Sequence, residues 1–358
     1  MPYDLKQMQS LPLASKITMS KRRIREWYDY WDGQVYVGFS GGKDSTVLKH
    51  IVDSMYDDVP ALFVNTGLEY PEIQKFAMSQ KNVVTVRPEM RFDEVIKKYG
   101  YPVVSKMVSD AVSGAKRNIK NGKYSLRLLQ LGVQRCEYGG LHDDGKYDYE
   151  KAVISSKFTK KKWRFLLDAD FNVSDKCCYY IKKTPFTKYE KESGRKPIIA
   201  TLASESMVRE TAWLKKGCNA FESDRPTSQP LSFWTEQDIL HYIKQYDIPY
   251  CSVYGDIRIK PHGEGTLAGQ IDLNDYLGCY APEDTLETTG CSRTGCIFCM
   301  FGCHLEKEPN RFQRLKETHP RQYKYCIGGG EMVEGKWQPN KEGLGLGHVL
   351  DYIGVKYD

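Results

Sequence analysis

The six residues Ser40-Gly41-Gly42-Lys43-Asp44-Ser45 constrain this chain more than any others. An apolar run, Gln34–Phe39, precedes them, and Val47, Leu48, Ile51, Val52 and Met55 follow at helical spacing. The pattern predicts strand, glycine-rich turn, helix. A helix that opens after two glycines aims backbone N–H groups and the positive end of its dipole at one spot. Such a spot suits a phosphate or another oxyanion. Lys43 adds a mobile cation, and Ser40 and Ser45 add hydroxyls. The Walker A pattern does not fit. Val37 stands where its first glycine belongs, and Asp44 follows the lysine in place of Ser or Thr.

The same alternation continues along the chain. Pro60–Asn65, Val83–Val86 and Lys196–Leu202 read as strands. Helices are predicted from Pro71, over Phe92–Tyr99 with Gly100 as the stop, after Ser204-Glu205-Ser206, and after Thr235. Short strands spaced by helices predict an α/β fold, a doubly wound parallel sheet with helices on both faces. Ligands of such sheets sit beyond the carboxyl ends of the strands, where Ser40–Ser45 and Asn65–Glu69 both fall. The expected organisation is a helical, basic preamble at 1–33, a nucleotide-binding domain at 34–250, and a cysteine-rich, metal-binding region at 251–358. Within the domain, residues 103–176 break the rhythm and read as a polar, basic insertion, serving as a solvated face or as an anion or nucleic-acid surface.

The 358 residues contain no run of eighteen apolar residues and no apolar core near the N-terminus. The expectation is a cytoplasmic chain that spans no membrane. Its net charge of +6 suits anionic partners. Eleven cysteines in a cytosolic chain read as thiols or metal ligands rather than disulfides. Two clusters stand out, Cys177-Cys178 and Cys291-x4-Cys296-x2-Cys299-x3-Cys303. Four sulfurs complete the shell of Zn2+ or of a 4Fe–4S cluster. The local set is Cys291, Cys296, Cys299 and Cys303; the split set joins Cys177 and Cys178 to Cys296 and Cys299.

The turn at Ser40–Ser45 resembles the SGGxDS pyrophosphate (PP) loop of the adenine nucleotide alpha-hydrolase-like superfamily, which includes N-type ATP pyrophosphatases and the PAPS and APS reductases. The resemblance implies that Ser40, Gly41, Gly42, Lys43 and Ser45 hold the phosphates of ATP, or the sulfate end of APS or PAPS. Val64-Asn65-Thr66-Gly67 is similar to a hydrophobic-Asp-Thr-Gly segment, which implies nucleotide contacts from Asn65, Thr66 and Gly67. Asn65 replaces the acid, so a role needing a carboxylate is lost there. Ser204-Glu205-Ser206 with Arg209 is similar to a segment whose arginine meets the phosphate or sulfate. Cys177-Cys178, followed by Lys182-Lys183-Thr184-Pro185, resembles the Cys-Cys pair with which APS reductases ligate a 4Fe–4S cluster. That implies the split set. Other relatives, bearing iron–sulfur or zinc, look closer to the local one.

Reductases of this family use a nucleophilic cysteine in a C-terminal E-C-G-L-H segment. This tail has Glu342-Gly343-Leu344-Gly345 and His348 but no cysteine there, and a thiosulfonate step needs that thiolate. The implied activity is therefore ATP pyrophosphatase chemistry. Lys43, Asp44 with Mg2+, and Arg209 would be catalytic, in a sulfur-transfer or nucleic-acid-modification step. APS/PAPS reduction with a thiol protein, and a non-catalytic nucleotide or nucleic-acid binding module, are the alternatives.

Overall fold

The computed structural model describes residues 4–134, 137–139, 141–143, 159–260 and 285–358. In chain order, α1 (Leu5–Gln9) and α2 (Leu13–Tyr30) lead into β1 (Val35–Phe39), α3 (Lys43–Asp53), β2 (Ala61–Val64), α4 (Pro71–Ser79), β3 (Val83–Val86) and α5 (Phe92–Tyr99). Next come β4 (Val103–Val104), α6 (Lys106–Lys120), β5 (Lys123–Tyr124), α7 (Leu126–Gln130), β6 (His142–Asp143) and α8 (Thr184–Ser193). They are followed by β7 (Lys196–Ile199), α9 (Met207–Lys216), β8 (Asn219–Ala220), β9 (Thr227–Ser228) and α10 (Glu236–Tyr246). The remaining elements are β10 (Ile257–Ile259), β11 (Leu286–Thr288), β12 (Met300–Phe301), α11 (Arg311–Thr318), α12 (Pro320–Ile327), β13 (Glu331–Val333), β14 (Lys336–Gln338) and α13 (Leu346–Tyr352). No helix among the described residues is long and apolar enough to cross a membrane.

Two compact units result. One comprises Met1–Asn65, Glu69–Arg87 and Phe186–Thr294; the other Thr66–Leu68, Pro88–Pro185 and Gly295–Asp358. The first is built on a six-stranded sheet in the order β3-β2-β1-β7-β9-β8, parallel except for the β8–β9 pair. β1 lies in its middle, and Val35, Tyr36, Val37 and Phe39 are all buried. An apolar run without alternation is what a parallel strand covered on both faces requires. Gly38 completes it, since a Cβ there would stand 2.9 Å from Ile199 Cγ2 on the neighbouring strand. Val47, Leu48, Ile51 and Val52 of α3 join the same core as Ile24 and Trp27 of α2. α2 is thus part of this unit's core.

α10 begins with a capping box. The Thr235 side chain accepts from the Asp238 N–H, and the Asp238 carboxylate accepts from the Thr235 N–H. Asp238 also takes both hydrogen bonds of a buried ion pair with Lys16 of α2, at 2.7 Å. Nothing in the sequence ties residues 16 and 238 together; only folding brings them into contact.

In the second unit β4 pairs in parallel with β12, Val103 opposite Met300 and Val104 opposite Phe301. The start of the basic stretch at 103–176 therefore pairs with C-terminal residues; residues 135, 136, 140 and 144–158 of that stretch lie outside the described residues. Ala111, Val112 and Ala115 of α6 are buried, as are Phe312, Leu315 and Leu350. The glycine-rich tail carries more structure than its sequence predicts before His348. β13 and β14 form a hairpin, and α13 starts at Leu346. Three-residue strands are too short for a period-2 signal to emerge. The hairpin is anchored instead by Trp337, whose Nε1–H donates to the Gly345 carbonyl at 2.9 Å.

Removing one partner of a buried ion pair leaves the other charge uncompensated. Lys16→Met is expected to lower unfolding free energy by about 3 kcal/mol, measured by denaturant titration. An unchanged midpoint would show that the pair contributes nothing.

Candidate functional site

β1 and β2 run parallel with Phe39 opposite Phe63, so Ser40 and Asn65 leave the sheet at the same end. The chain turns from β1 into α3 within Ser40–Gly42. Gly41 adopts φ +72°, and a Cβ there would meet Ile73 Cγ2 at 3.0 Å and Ala77 Cβ at 3.2 Å. Both the left-handed conformation and the close approach of α4 demand glycine. Gly42 caps α3 without a side chain to offer, and the first helical N–H, that of Lys43, takes its acceptor from Tyr254 instead.

The two serines are used internally. The Ser40 N–H donates to Ser45 Oγ at 3.2 Å, and Ser45 Oγ donates to the Gly42 carbonyl at 2.9 Å. Their hydroxyls lie 3.0 Å apart. These bonds shape the loop. Tyr254, buried against Ile73 and Cys251, brings its hydroxyl to 3.2 Å from the Lys43 N–H and 2.7 Å from Thr294 Oγ1. Burial pushes the Tyr254 phenol up to about 12, so it stays a neutral hydroxyl.

Lys43 differs from the mobile cation the sequence leads one to expect. Its side chain is 6% exposed. Nζ donates to the Ser292 carbonyl at 2.9 Å and pairs with Glu236 Oε1 at 3.0 Å, with Asp44 Oδ1 at 3.9 Å. A buried ammonium must find oxygens, and here the fold supplies them. Asp44 Oδ1 is itself buried and has no hydrogen-bond partner among the described residues. Burial raises the Asp44 pKa, against the lowering effect of Lys43. Glu205 pairs with both Arg209 and Arg293. Burial and then the charge of Arg293 lower the Arg209 pKa.

The fold thus brings Lys43, Asp44 and the Ser40–Ser45 loop together, and sets Arg209 among the charges acting on Asp44. Asn65 is buried and extends the ladder, donating its N–H to the Val86 carbonyl at 2.8 Å. Thr66 Oγ1 accepts from the Leu68 N–H at 3.1 Å, and Gly67 has φ +73°. Sequence reasoning missed Glu236, Tyr254, Ser292, Arg293 and Thr294. Three of these stand in Cys291-Ser292-Arg293-Thr294-Gly295-Cys296, a stretch whose cysteines hid its hydroxyls and its arginine.

In the second unit Cys177, Cys178, Cys296 and Cys299 line one small cavity, closed by apolar side chains such as Phe92 and Ile181. Cys291 and Cys303 do not line it. Cys303 is buried and donates to the Met300 carbonyl at 3.0 Å. Cys177 and Cys178 precede one π-helical turn, Tyr179–Lys183, a form that often marks functional positions. Cys177 Sγ donates to Cys178 Sγ at 4.0 Å. That bond and burial hold the proton on Cys177. The same bond, aided by the Lys106 and Lys182 ammoniums, lowers the Cys178 pKa. Lys182 also lines the cavity, and among the described residues no group of three or more His, Cys, Asp or Glu side chains is arranged to hold a metal ion. No disulfide joins the described cysteines; Cys136 and Cys279 lie outside the described residues.

The chain matches the family model described as the phosphoadenosine phosphosulfate reductase domain over residues 34–121 and 142–300, more than half its length. It is 31% identical over 86 residues to an uncharacterised protein of Methanocaldococcus jannaschii, a match covering 22% of this chain. The chain spans about a fifth of the length of that curated relative, 21%. Among solved structures, phosphoadenylyl-sulfate reductase from Candida auris, in a phosphate complex, aligns at 13% identity with TM-score 0.35. That alignment covers 65% of this chain and 82% of that one. The U34-tRNA thiolase NcsA of Methanococcus maripaludis, with its 4Fe–4S cluster, aligns at 14% identity with TM-score 0.33. It covers 74% of this chain and 71% of that one.

Two expectations follow. Gly41→Ala is expected to destabilise the fold by about 1–3 kcal/mol through its positive φ and the contact with Ile73, read as a lower thermal midpoint. Asp44 has a raised folded pKa, so the protonated form favours folding and this benefit is lost as pH rises. Asp44→Asn should therefore be more stable than wild type at neutral pH. The difference should close as pH falls through the usual carboxylate range, and a difference constant across pH would refute this.

Proposed function

The chain belongs to the phosphoadenosine phosphosulfate reductase domain family, and from that membership we propose that it is an adenine-nucleotide enzyme which splits ATP between its α and β phosphates. The observation that carries the reading is the Ser40–Ser45 turn, whose glycines open α3 towards one point beside a buried lysine. The α3 N-terminus and Lys43 suit the β and γ phosphates. An acceptor oxygen attacks the α-phosphorus. The new P–O bond forms as the bond to the α–β bridging oxygen breaks, and the electron pair departs with pyrophosphate. Lys43 and the helix N-terminus neutralise the leaving group, and Arg209 offsets charge on the phosphoryl oxygens. Asp44 is the candidate contact for Mg2+, which when bound supplies Lewis-acid neutralisation of the phosphates.

Cys177, Cys178, Cys296 and Cys299 would hold the metal centre, a 4Fe–4S cluster in preference to Zn2+. Such a cluster, when bound, supplies a sulfur-handling centre. The reaction this combination serves is sulfur transfer or nucleic-acid modification. Its partners would be an adenine nucleotide together with a nucleic acid or a sulfur-donor protein, for which the basic 103–176 stretch is the candidate docking surface.

Sulfonucleotide reduction is the second reading, favoured by the description of the family. It needs an accessible thiolate near the C-terminus. Cys326 is fully buried with its pKa raised by burial, and Cys303 is buried and pushed up to about 11. Neither suits nucleophilic attack.

Anaerobically purified protein is expected to release pyrophosphate from ATP with Mg2+, and Lys43→Ala should lower that rate about a hundredfold or more. Sulfite release from APS or PAPS with a thiol reductant, without pyrophosphate from ATP, would overturn the reading in favour of reduction. Iron and acid-labile sulfide should be lost in Cys177→Ser and Cys296→Ser and kept in Cys291→Ser. Zinc alone, or loss only in Cys291→Ser, would refute the metal assignment.

A further inference from the structure

The first turn of α10 assigns each of its side chains a separate task. Thr235 caps the helix. Gln237 clasps the backbone of Leu286, donating from Nε2 to its carbonyl at 2.9 Å and accepting its N–H at 2.8 Å. Asp238 pairs with Lys16. Three anchors therefore fix the turn, and the residue left between them, Glu236, reaches Lys43 with its carboxylate 3.0 Å from Nζ.

The two partners are unequal. The Lys43 side chain is 6% exposed, whereas that of Glu236 is 51% exposed. The other oxygens near Nζ belong to a backbone carbonyl, that of Ser292, and to Asp44 of α3 itself. Among its described partners, Glu236 is thus the one that can turn into water at small cost. Its charge stays favourable after release, because it occupies the first position of α10, where the helix dipole stabilises an anion.

We infer that Glu236 is a resident competitor for the phosphate site, holding Lys43 in the free protein until an anion strong enough to displace a carboxylate arrives. The inference rests on the reading of Ser40–Ser45 as a phosphate loop and adds a residue that sets which ligands gain Lys43. A polyphosphate chain, which also binds the N–H groups of α3, displaces Glu236. A weakly basic or singly charged anion does not. The apparent affinity for every ligand that needs Lys43 is lowered by the fraction of molecules in which Lys43 is held.

Inorganic pyrophosphate, titrated calorimetrically into the full chain in Mg2+-free buffer, tests this. Glu236→Gln is expected to tighten binding about two- to fivefold, the range of a half-exposed ion pair; Glu236→Ala should act in the same direction. Lys43→Gln should weaken binding, and in that background Glu236→Gln should bring no gain. If Lys43→Gln weakens binding but Glu236→Gln leaves it unchanged or weaker, the competitor role is wrong and the phosphate loop stands. A gain of equal size with and without Lys43 also overturns the role, since it reports only repulsion through space. If Lys43→Gln leaves pyrophosphate binding untouched, the reading of the loop fails first.

Discussion

Everything around Ser40–Ser45 depends on reversing the chain from a buried strand into a buried helix within three residues. β1 has neighbours on both edges, and α3 packs its apolar face into the same core. Each of Val47, Leu48, Ile51 and Val52 contributes about 1.5–3 kcal/mol by burial, so the helix cannot shift to relieve a poor turn. The turn must conform, and only glycine at position 41 meets the positive φ beside Ile73 and Ala77. The converging N–H groups are therefore a consequence of packing, already organised before any ligand arrives.

Charges inside that frame follow from low polarity. An ammonium as buried as that of Lys43 cannot stay unpaired, so a carbonyl and a half-exposed carboxylate come to it. Arg209 and Arg293 share Glu205 in the same way. These cations are thus internally neutralised. Asp44 is the exception, with one oxygen buried and unsatisfied by any hydrogen bond among the described residues. A group in that condition costs stability, and such costs are commonly carried at functional positions.

Local patterns were legible where they were long or chemically distinctive. β1, α3, β2, β3, α5 and the Thr235 capping box all fall where apolar runs, glycines and caps place them. The tail hairpin was not, because its strands have three residues each. The sequence around Lys43 does not reveal its burial, because its partners lie about 190 and 250 positions further along the chain.

The order of residues alone determined the glycine turn, the strands and helices on either side of it, and the presence of two cysteine groups with metal-ligand spacing. These are local properties, set by backbone freedom and hydrophobic period over a few residues. The tertiary structure decided which distant groups meet. It set Glu236 and Ser292 on Lys43, Lys16 on Asp238, and Cys177-Cys178 in one cavity with Cys296 and Cys299. No local rule encodes those meetings, since each is fixed by how whole elements pack, and the pairing of a buried charge is settled only when the chain has closed around it.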